Sequence, residues 1–133
     1  MPVLPLYKSP NAKIKTLRSE IFDLDNGAGT TVDSVMGLFT RPVQLLTARI
    51  IYTDATTGTV AAGNAKIGTT VGGAEVVTAT AYGNAATVGT KTAMTLLVAS
   101  VAANTMITAR HTGVASTQAG KAYVEIEYAF FDD

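Results

Sequence analysis

Apolar and polar positions alternate most clearly in a central stretch, Arg41–Gly58, which reads RPVQLLTARIIYTDATTG. Pro42 ends whatever element precedes it, because proline has no backbone N–H to donate. Over Val43–Thr53 both faces of an extended chain would be mostly apolar, and such a run spans roughly 35 Å. Asp54–Gly58 is polar and closed by glycine, which predicts a turn. The pattern therefore predicts a long strand between the two breaks, covered on both faces.

Shorter apolar runs, separated by turns rich in glycine, follow this stretch. Their spacing of roughly 8–12 residues is typical of an antiparallel β-sandwich or barrel. A helix over Glu75–Ala86 stays open because of its alanines, although its threonines and valines favour a strand. The predicted strands are residues 65–70, 75–82, 92–98, 105–111 and 121–131, and the residues predicted to be nearly fully buried are Leu46, Ile50, Val124, Ile126 and Tyr128.

The segment before the central stretch contains one firm turn and two less regular elements. Asp25–Gly29 has the composition of a turn. Thr30–Thr40 alternates loosely, which predicts a strand with Gly37 at a bulge. Ala12–Leu24 is ambiguous, because its apolar residues fit helical spacing while Ser19–Leu24 also fits a short strand.

The N-terminal residues differ from the rest in composition. Met1–Pro10 contains three prolines, which prevent a regular element, and no acid occurs before Glu20. We therefore divide the chain into an extended arm, residues 1–18, and a sandwich domain, residues 19–133. The arm is predicted to dock on an acidic surface or a neighbouring subunit; packing on its own sandwich, or a merely solvated basic face, is the alternative. The predicted contact residues are the apolar Leu4, Leu6 and Tyr7 and the basic Lys8, Lys13, Lys15 and Arg18.

The small share of charged residues indicates what kind of surface the protein has. Charged residues make up 15 % of the chain, below the usual ~25 %, and the formal net charge is zero. Such a surface has little electrostatic help with solubility, so we expect much of it to be covered by copies of itself or by a partner. The chain has no cysteine, which excludes disulfides and cysteine-bearing zinc sites. No apolar run approaches the ~18 residues of a membrane helix and the N-terminus does not look like a signal peptide, so we expect no membrane partner and synthesis in the cytoplasm.

Two short motifs faintly resemble ligand-binding loops. Gly63–Thr70 has the glycines of a phosphate loop, but Thr69 stands where the lysine should be, and Gly72 and Gly73 block the helix that must follow. Asp23–Gly27 has the oxygen ligands of a calcium loop but lacks the distal glutamate. A turn with side-chain hydrogen bonds is therefore favoured there, with a weak structural cation as the alternative. The sequence predicts no cofactor and no metal.

Candidate catalytic groups are sparse. His111, the single histidine, has neither a nucleophile nor an orienting acid beside it in the sequence, which favours a structural or interface role. Glu125 and Glu127 would share a strand face about 7 Å apart, and paired carboxylates can hydrolyse glycosides, but the chain has no tryptophan to hold a sugar. Zero net charge and scattered tyrosines argue against nucleic-acid binding. No catalytic residue is predicted; a carbohydrate-acting enzyme using the two glutamates is the enzymatic alternative.

A resemblance to a known class of proteins spans Gln44–Tyr128. It rests on LLTARIIYTDATTGTV, on KIGTTVGGAEVV, on a middle rich in Thr and Ala, and on the ending ANTMITARHTGVASTQAGKAYVEIEYAF. This layout resembles small jelly-roll proteins encoded among the head genes of tailed bacteriophages. Some of these are capsid decoration (cement) proteins and others are fibre or spike domains. The N-terminal arm lies outside the pattern.

The resemblance implies both a fold and a function. The expected fold is an all-β antiparallel jelly-roll sandwich with an extended N-terminal arm. The expected function is that of a non-enzymatic virion protein, made in the host cytoplasm, which binds the outside of a phage head and bridges capsomers of the major capsid protein. The alternative is a trimeric fibre or spike head that binds a receptor or glycan. A homotrimer is expected in either case, with Thr78–Thr95 at the interface because few charges there need desolvating.

Overall fold

Ten β-strands and one turn of 3-10 helix form the regular structure of residues 13–131, which are the residues that this computed structural model describes. Residues that are β-branched favour the strands, and glycines favour the turns between them. The strands are β1 (Lys15–Arg18), β2 (Phe22–Asp23), β3 (Thr31–Phe39), β4 (Val43–Thr57), β5 (Asn64–Gly68), β6 (Val77–Ala81), β7 (Lys91–Met94), β8 (Ser100–Val101), β9 (Thr105–Thr112) and β10 (Ala119–Phe130), and the 3-10 turn is Val60–Ala62.

The strands form two antiparallel sheets packed against each other, so the predicted β-sandwich is confirmed. Sheet A has the order β1-β10-β4-β7. In addition, β2 pairs with the N-terminal part of β10, and β8 pairs with the N-terminal part of β4. Sheet B has the order β3-β9-β5-β6. Connections between strands that are consecutive in the chain cross from one sheet to the other, except for the β5–β6 hairpin and the short breaks between β1 and β2 and between β7 and β8.

The core lies between the two sheets. Ile50, Val124 and Ile126 of sheet A are completely buried there, as predicted, and they meet Ile67 and Ile107 of sheet B. The prediction of near-complete burial was wrong for two residues, which are only half-buried: Leu46 and Tyr128.

A bulge in β4 explains the error at Leu46. Tyr128 of β10 is in register with Leu45 and Glu127 with Thr47, so Leu46 has no partner in the ladder. One extra residue reverses the alternation of faces along a strand. The core-facing residues of β4 are therefore Val43 and Leu45 before the bulge and Ala48, Ile50 and Tyr52 after it.

Several boundaries differ from the prediction. The polar segment Asp54–Thr57 continues β4 instead of forming the predicted turn, because it pairs with β10 as far as Thr57, which is in register with Ala119. The turn begins only at Gly58, whose φ is 75°. The register shift in β3 falls between Val35 and Gly37, so a bulge is present next to the predicted position, with Met36 as the residue that has no partner in the ladder. Both ambiguous segments form strands and not helices, as β1, β2 and β6. Within residues 13–131, no helix has the length and apolar character needed to cross a bilayer.

Candidate interaction surfaces

Four loops lie together at one end of the sandwich, which we call the four-loop end. Thr57 at the end of β4 is in register with Ala119 at the start of β10, and Thr112 at the end of β9 is in register with both Thr31 and Asn64. The connections that leave these positions therefore converge. They are residues 24–30, 58–63, 82–90 and 113–118.

Hydrogen bonds join these loops to one another. The Thr59 N–H donates to Gln118 Oε1 at 2.6 Å, and the Ala61 N–H donates to Asn84 Oδ1 at 3.0 Å. Four backbone hydrogen bonds, with lengths of 2.8, 2.8, 3.0 and 3.2 Å, join the first loop to the fourth. Each loop is thus held by a neighbour, which reduces the conformational entropy that it would lose on binding a partner.

The four-loop end carries almost no charge. Asp25 is the only charged residue in its four loops. Val88 is 66 % exposed, more than any other large hydrophobic residue of the described chain. Further charges begin at the rim, where Lys121 lies in register with both Asp23 and Asp54.

His111 is a buried structural residue beneath these loops. Its ring stacks on Phe22, with centroids 5.1 Å apart. The Asn26 Oδ1 atom can only accept, so His111 Nε2–H donates to it at 3.3 Å. In the neutral ring Nδ1 is then the acceptor, and the Tyr82 hydroxyl donates to it at 2.5 Å. Burial lowers the pKa of the imidazole to about 4 and raises the pKa of the Tyr82 hydroxyl. The neutral imidazole therefore links β9 to two of the loops, and its predicted structural role is confirmed.

Glu125 and Glu127 lie on the outer face of sheet A within a network of ion pairs. Glu125 accepts from Arg18 Nε at 2.9 Å and from Arg49 Nε at 3.0 Å, while Arg49 Nη2 lies 2.8 Å from Glu127. Burial acts to raise the pKa of the Glu125 carboxyl, but the two guanidinium groups outweigh it, so the pKa lies below its ordinary value. A carboxylate that is kept ionised in this way is poorly suited to act as a general acid. The contacts of the two glutamates are those of an ion-pair network that joins neighbouring strands of sheet A.

An apolar patch lies on the outer face of sheet B. Leu38 of β3 and Met106 of β9 are cross-strand neighbours there, and Val35 precedes them on the same face with 64 % of its side chain exposed. Beside the patch, Arg110 donates two hydrogen bonds to Asp33, at 2.7 and 2.9 Å, and thereby lowers the pKa of that carboxyl. Among residues 13–131, β3 is the edge strand of its sheet, so this patch reaches the sheet edge.

Three of the predicted arm contacts lie in the described chain, and two of them touch the sandwich itself. Lys15 and Arg18 belong to β1, so the sheet begins before the predicted start of the sandwich domain at residue 19. The Arg18 guanidinium, besides its pairing with Glu125, lies 5.3 Å from the centre of the Tyr123 ring. Lys13 is exposed. The other predicted contacts lie outside the described residues: Leu4, Leu6, Tyr7 and Lys8.

The two motifs that resembled ligand loops have structural explanations. In the first, β5 leads into a turn in which Glu75 accepts a hydrogen bond from the Thr69 N–H at 2.9 Å, and this bond lowers the pKa of the Glu75 carboxyl. In the second, a hydrogen bond with Asp25, together with partial burial, raises the pKa of Asp23. Within residues 13–131, no three His, Asp or Glu side chains are grouped so that they could hold a metal ion.

Sequence reasoning missed the four-loop end. The sequence feature that could have indicated it is the absence of charged residues from three connections, residues 58–63, 82–90 and 113–118. These connections are far apart along the chain, and only the strand order places them side by side.

Comparison with known proteins identifies a shared fold. No protein-family model matches the chain, and no curated protein matches it. Among solved structures, a chain from the structure titled "Cyanophage Pam1 capsid asymmetric unit" is similar, with a TM-score of 0.60 and 15 % sequence identity. The match covers 93 % of this chain and 89 % of that chain, so the two have similar lengths and share their architecture almost from end to end.

Proposed function

We propose that the protein is a non-enzymatic structural component of a phage virion, a decoration protein that binds the outside of the head and stabilises it by bridging capsomers. The observation that carries this proposal is the fold shared, over nearly the whole length of both chains, with a chain of the cyanophage Pam1 capsid asymmetric unit. The resemblance of its strand and turn motifs to phage head proteins supports the same conclusion.

The strand order supports a jelly-roll topology. β1 and β2 can be counted as one interrupted edge strand, because both pair with β10, and β7 and β8 as another, because both pair with β4. The sandwich then has eight strands. Sheet A then has the order first, eighth, third, sixth, and sheet B the order second, seventh, fourth, fifth. Eight strands in two sheets built from Greek keys are the jelly-roll arrangement.

The surface chemistry suits a protein that acts by covering other proteins. With a formal net charge of zero and exposed apolar side chains on two surfaces, the protein gains by burying area against a partner. A decoration protein that binds only the assembled shell stabilises that shell by mass action. The major capsid protein is therefore the proposed partner.

A homotrimer is proposed as the assembly of the protein, also in the absence of a partner. The expected interface lies within Thr78–Thr95, and we assign the contacts between copies to its two strands, β6 and β7. The loop between these strands, residues 82–90, lies at the four-loop end and stays outside the trimer contacts. β6 and β7 are edge strands of the two sheets, and they lie along one narrow side, where Val77 of β6 forms a bridge with Leu96 in the segment just after β7. Lys91 is the only charged residue of this segment, so little charge would be desolvated. Sedimentation of the isolated protein at high micromolar concentration should show a trimer, and a monomer there would exclude this assembly.

Heads of the phage that encodes this chain test the proposed function directly. Heads assembled without the protein should release DNA at a lower temperature than complete heads, and adding purified protein should restore their resistance. Quantitative gels should give copies on the order of hundreds per particle, since decoration follows the symmetry of the shell. A few dozen copies or fewer would favour a fibre or spike head instead. Heads equally stable with and without the protein would refute a stabilising role.

A further inference from the structure

We propose that the four-loop end is the face that contacts the shell, and that it fits an uncharged protein surface with an apolar recess for Val88. This inference rests on the proposed function and names the contact surface that the function requires.

The composition of the four-loop end excludes the other common classes of partner. A nucleic acid or anionic membrane requires clustered Lys or Arg, and these loops contain neither. A glycan site is usually built on exposed aromatic rings, but Tyr82, the aromatic residue of these loops, is 2 % exposed, and the neighbouring Tyr52 is equally buried. Charge depletion at the centre with charge at the rim is the pattern of a protein–protein interface. Here Asp23, Asp54 and Lys121 supply that rim.

Rigidity is the second argument. The Thr59–Gln118 and Ala61–Asn84 hydrogen bonds hold loops together across the end of the sandwich. A platform held in this way is ordered before it binds, so little of the contact energy is lost in ordering it.

The position of the four-loop end is the third argument. The described chain begins near the opposite end, where Lys15 of β1 is in register with Tyr128, close to the last residue of β10. The first described residues of the chain therefore lie far from the four-loop end. A protein with contacts at both ends can touch two neighbours, which is the geometry that bridging requires.

Two valines of similar exposure give a matched test. Val88 at the four-loop end and Val71 in the loop at the opposite end are 66 % and 59 % exposed. Fluorescently labelled Val88→Asp, Val88→Lys and Val71→Asp are each bound to heads that lack the protein, and the Kd is measured by co-sedimentation. A buried charge without a partner should weaken binding by about 30-fold or more in both Val88 variants. Val71→Asp should bind like the wild type.

A variant in another loop of the four-loop end gives a second test. Ala115→Asp should weaken binding as Val88→Asp does. Sedimentation should show the wild-type mass for all variants.

The outcomes separate the inference from the function on which it rests. If the unmodified protein does not bind these heads, the proposed function fails. If it binds, but the Val88 and Ala115 variants bind as well as the wild type, the four-loop end is not the contact face. Tighter binding of Val88→Lys alone would reveal an acidic partner and overturn the uncharged surface. Loss of the wild-type mass in Val88→Asp, with normal binding of Ala115→Asp, would assign this end to contacts between copies of the protein.

Discussion

Ala85 has a backbone conformation that alanine tolerates poorly. Its φ is 55°, in the left-handed region, where a Cβ crowds the following carbonyl at a cost of roughly 1–2 kcal/mol. Ala85→Gly should therefore stabilise the protein by about 0.5–1 kcal/mol in urea denaturation, after allowance for the greater freedom of glycine in the unfolded chain.

Ala115, also in an exposed loop but without a positive φ, supplies the control. Ala115→Gly should destabilise the protein by about 0.5 kcal/mol, because only the unfolded chain gains freedom. If the two substitutions shift stability in the same direction, Ala85 is not strained.

His111 should make stability depend on pH in a defined window. Its folded pKa of about 4 lies below the ordinary value of 6.5, so the unfolded chain takes up the proton first as the pH falls. The stability associated with the neutral ring is complete above about pH 6.5 and is lost progressively towards pH 4, by about 3 kcal/mol in total. Because this is the single histidine of the chain, its imidazole NMR signals report the pKa without ambiguity.

A titration midpoint near 6.5 would contradict the buried network. Tyr82→Phe provides the matched variant, since it removes the hydroxyl that donates to Nδ1 and keeps the ring. It should cost about 1–3 kcal/mol at pH 7 by leaving a buried acceptor unpaired.

At the scale of the strand, β4 and β10 allow a direct comparison of a core position with a bulge position. Ile126 of β10 is completely buried, so Ile126→Ala should cost about 2–4 kcal/mol through lost burial and a cavity. Leu46→Ala should cost about 1 kcal/mol, because the bulge places Leu46 half in solvent. Equal losses for the two, measured by denaturant unfolding, would mean that the bulge is misplaced.

The same bulge shows how far the sequence could predict the elements. Alternation over Val43–Thr53 was enough to locate a long central strand, and alternation after Lys121 located the last one. It could not reveal that Leu46 is skipped in the ladder, because a bulge depends on the register with a partner more than 70 residues away. The end of β4 likewise depends on the partner strand. The composition of Asp54–Thr57 predicts a turn, but the segment stays extended because it pairs with β10.

For the whole molecule, the sequence predicted the class of fold and not the surfaces. Alternation and turn spacing were sufficient for a sandwich. The exposed pairing of Leu38 with Met106, and the convergence of four uncharged loops, depend on which strands are neighbours. That order follows from packing among distant segments, which the local pattern does not record.

The N-terminal arm gives the last prediction, because it would supply the second contact of a bridging protein. Residues 1–12 lie outside the described chain, while Lys15 and Arg18 already have partners on the sandwich, in the Phe130 ring and Glu125. If the arm docks on a neighbour, deleting Met1–Pro10 should shift Tm by less than about 2 °C and should abolish attachment to heads. The full-length double variant Lys8→Gln/Lys13→Gln keeps the apolar anchors and tests the charges alone. Its binding should weaken, and its Kd should vary less than that of the wild type between about 0.05 and 0.5 M salt, because screening acts on the removed charges. A truncated protein that unfolds several degrees earlier and still decorates heads would show that the arm stabilises its own sandwich, leaving the four-loop end as the remaining proposed contact with the shell.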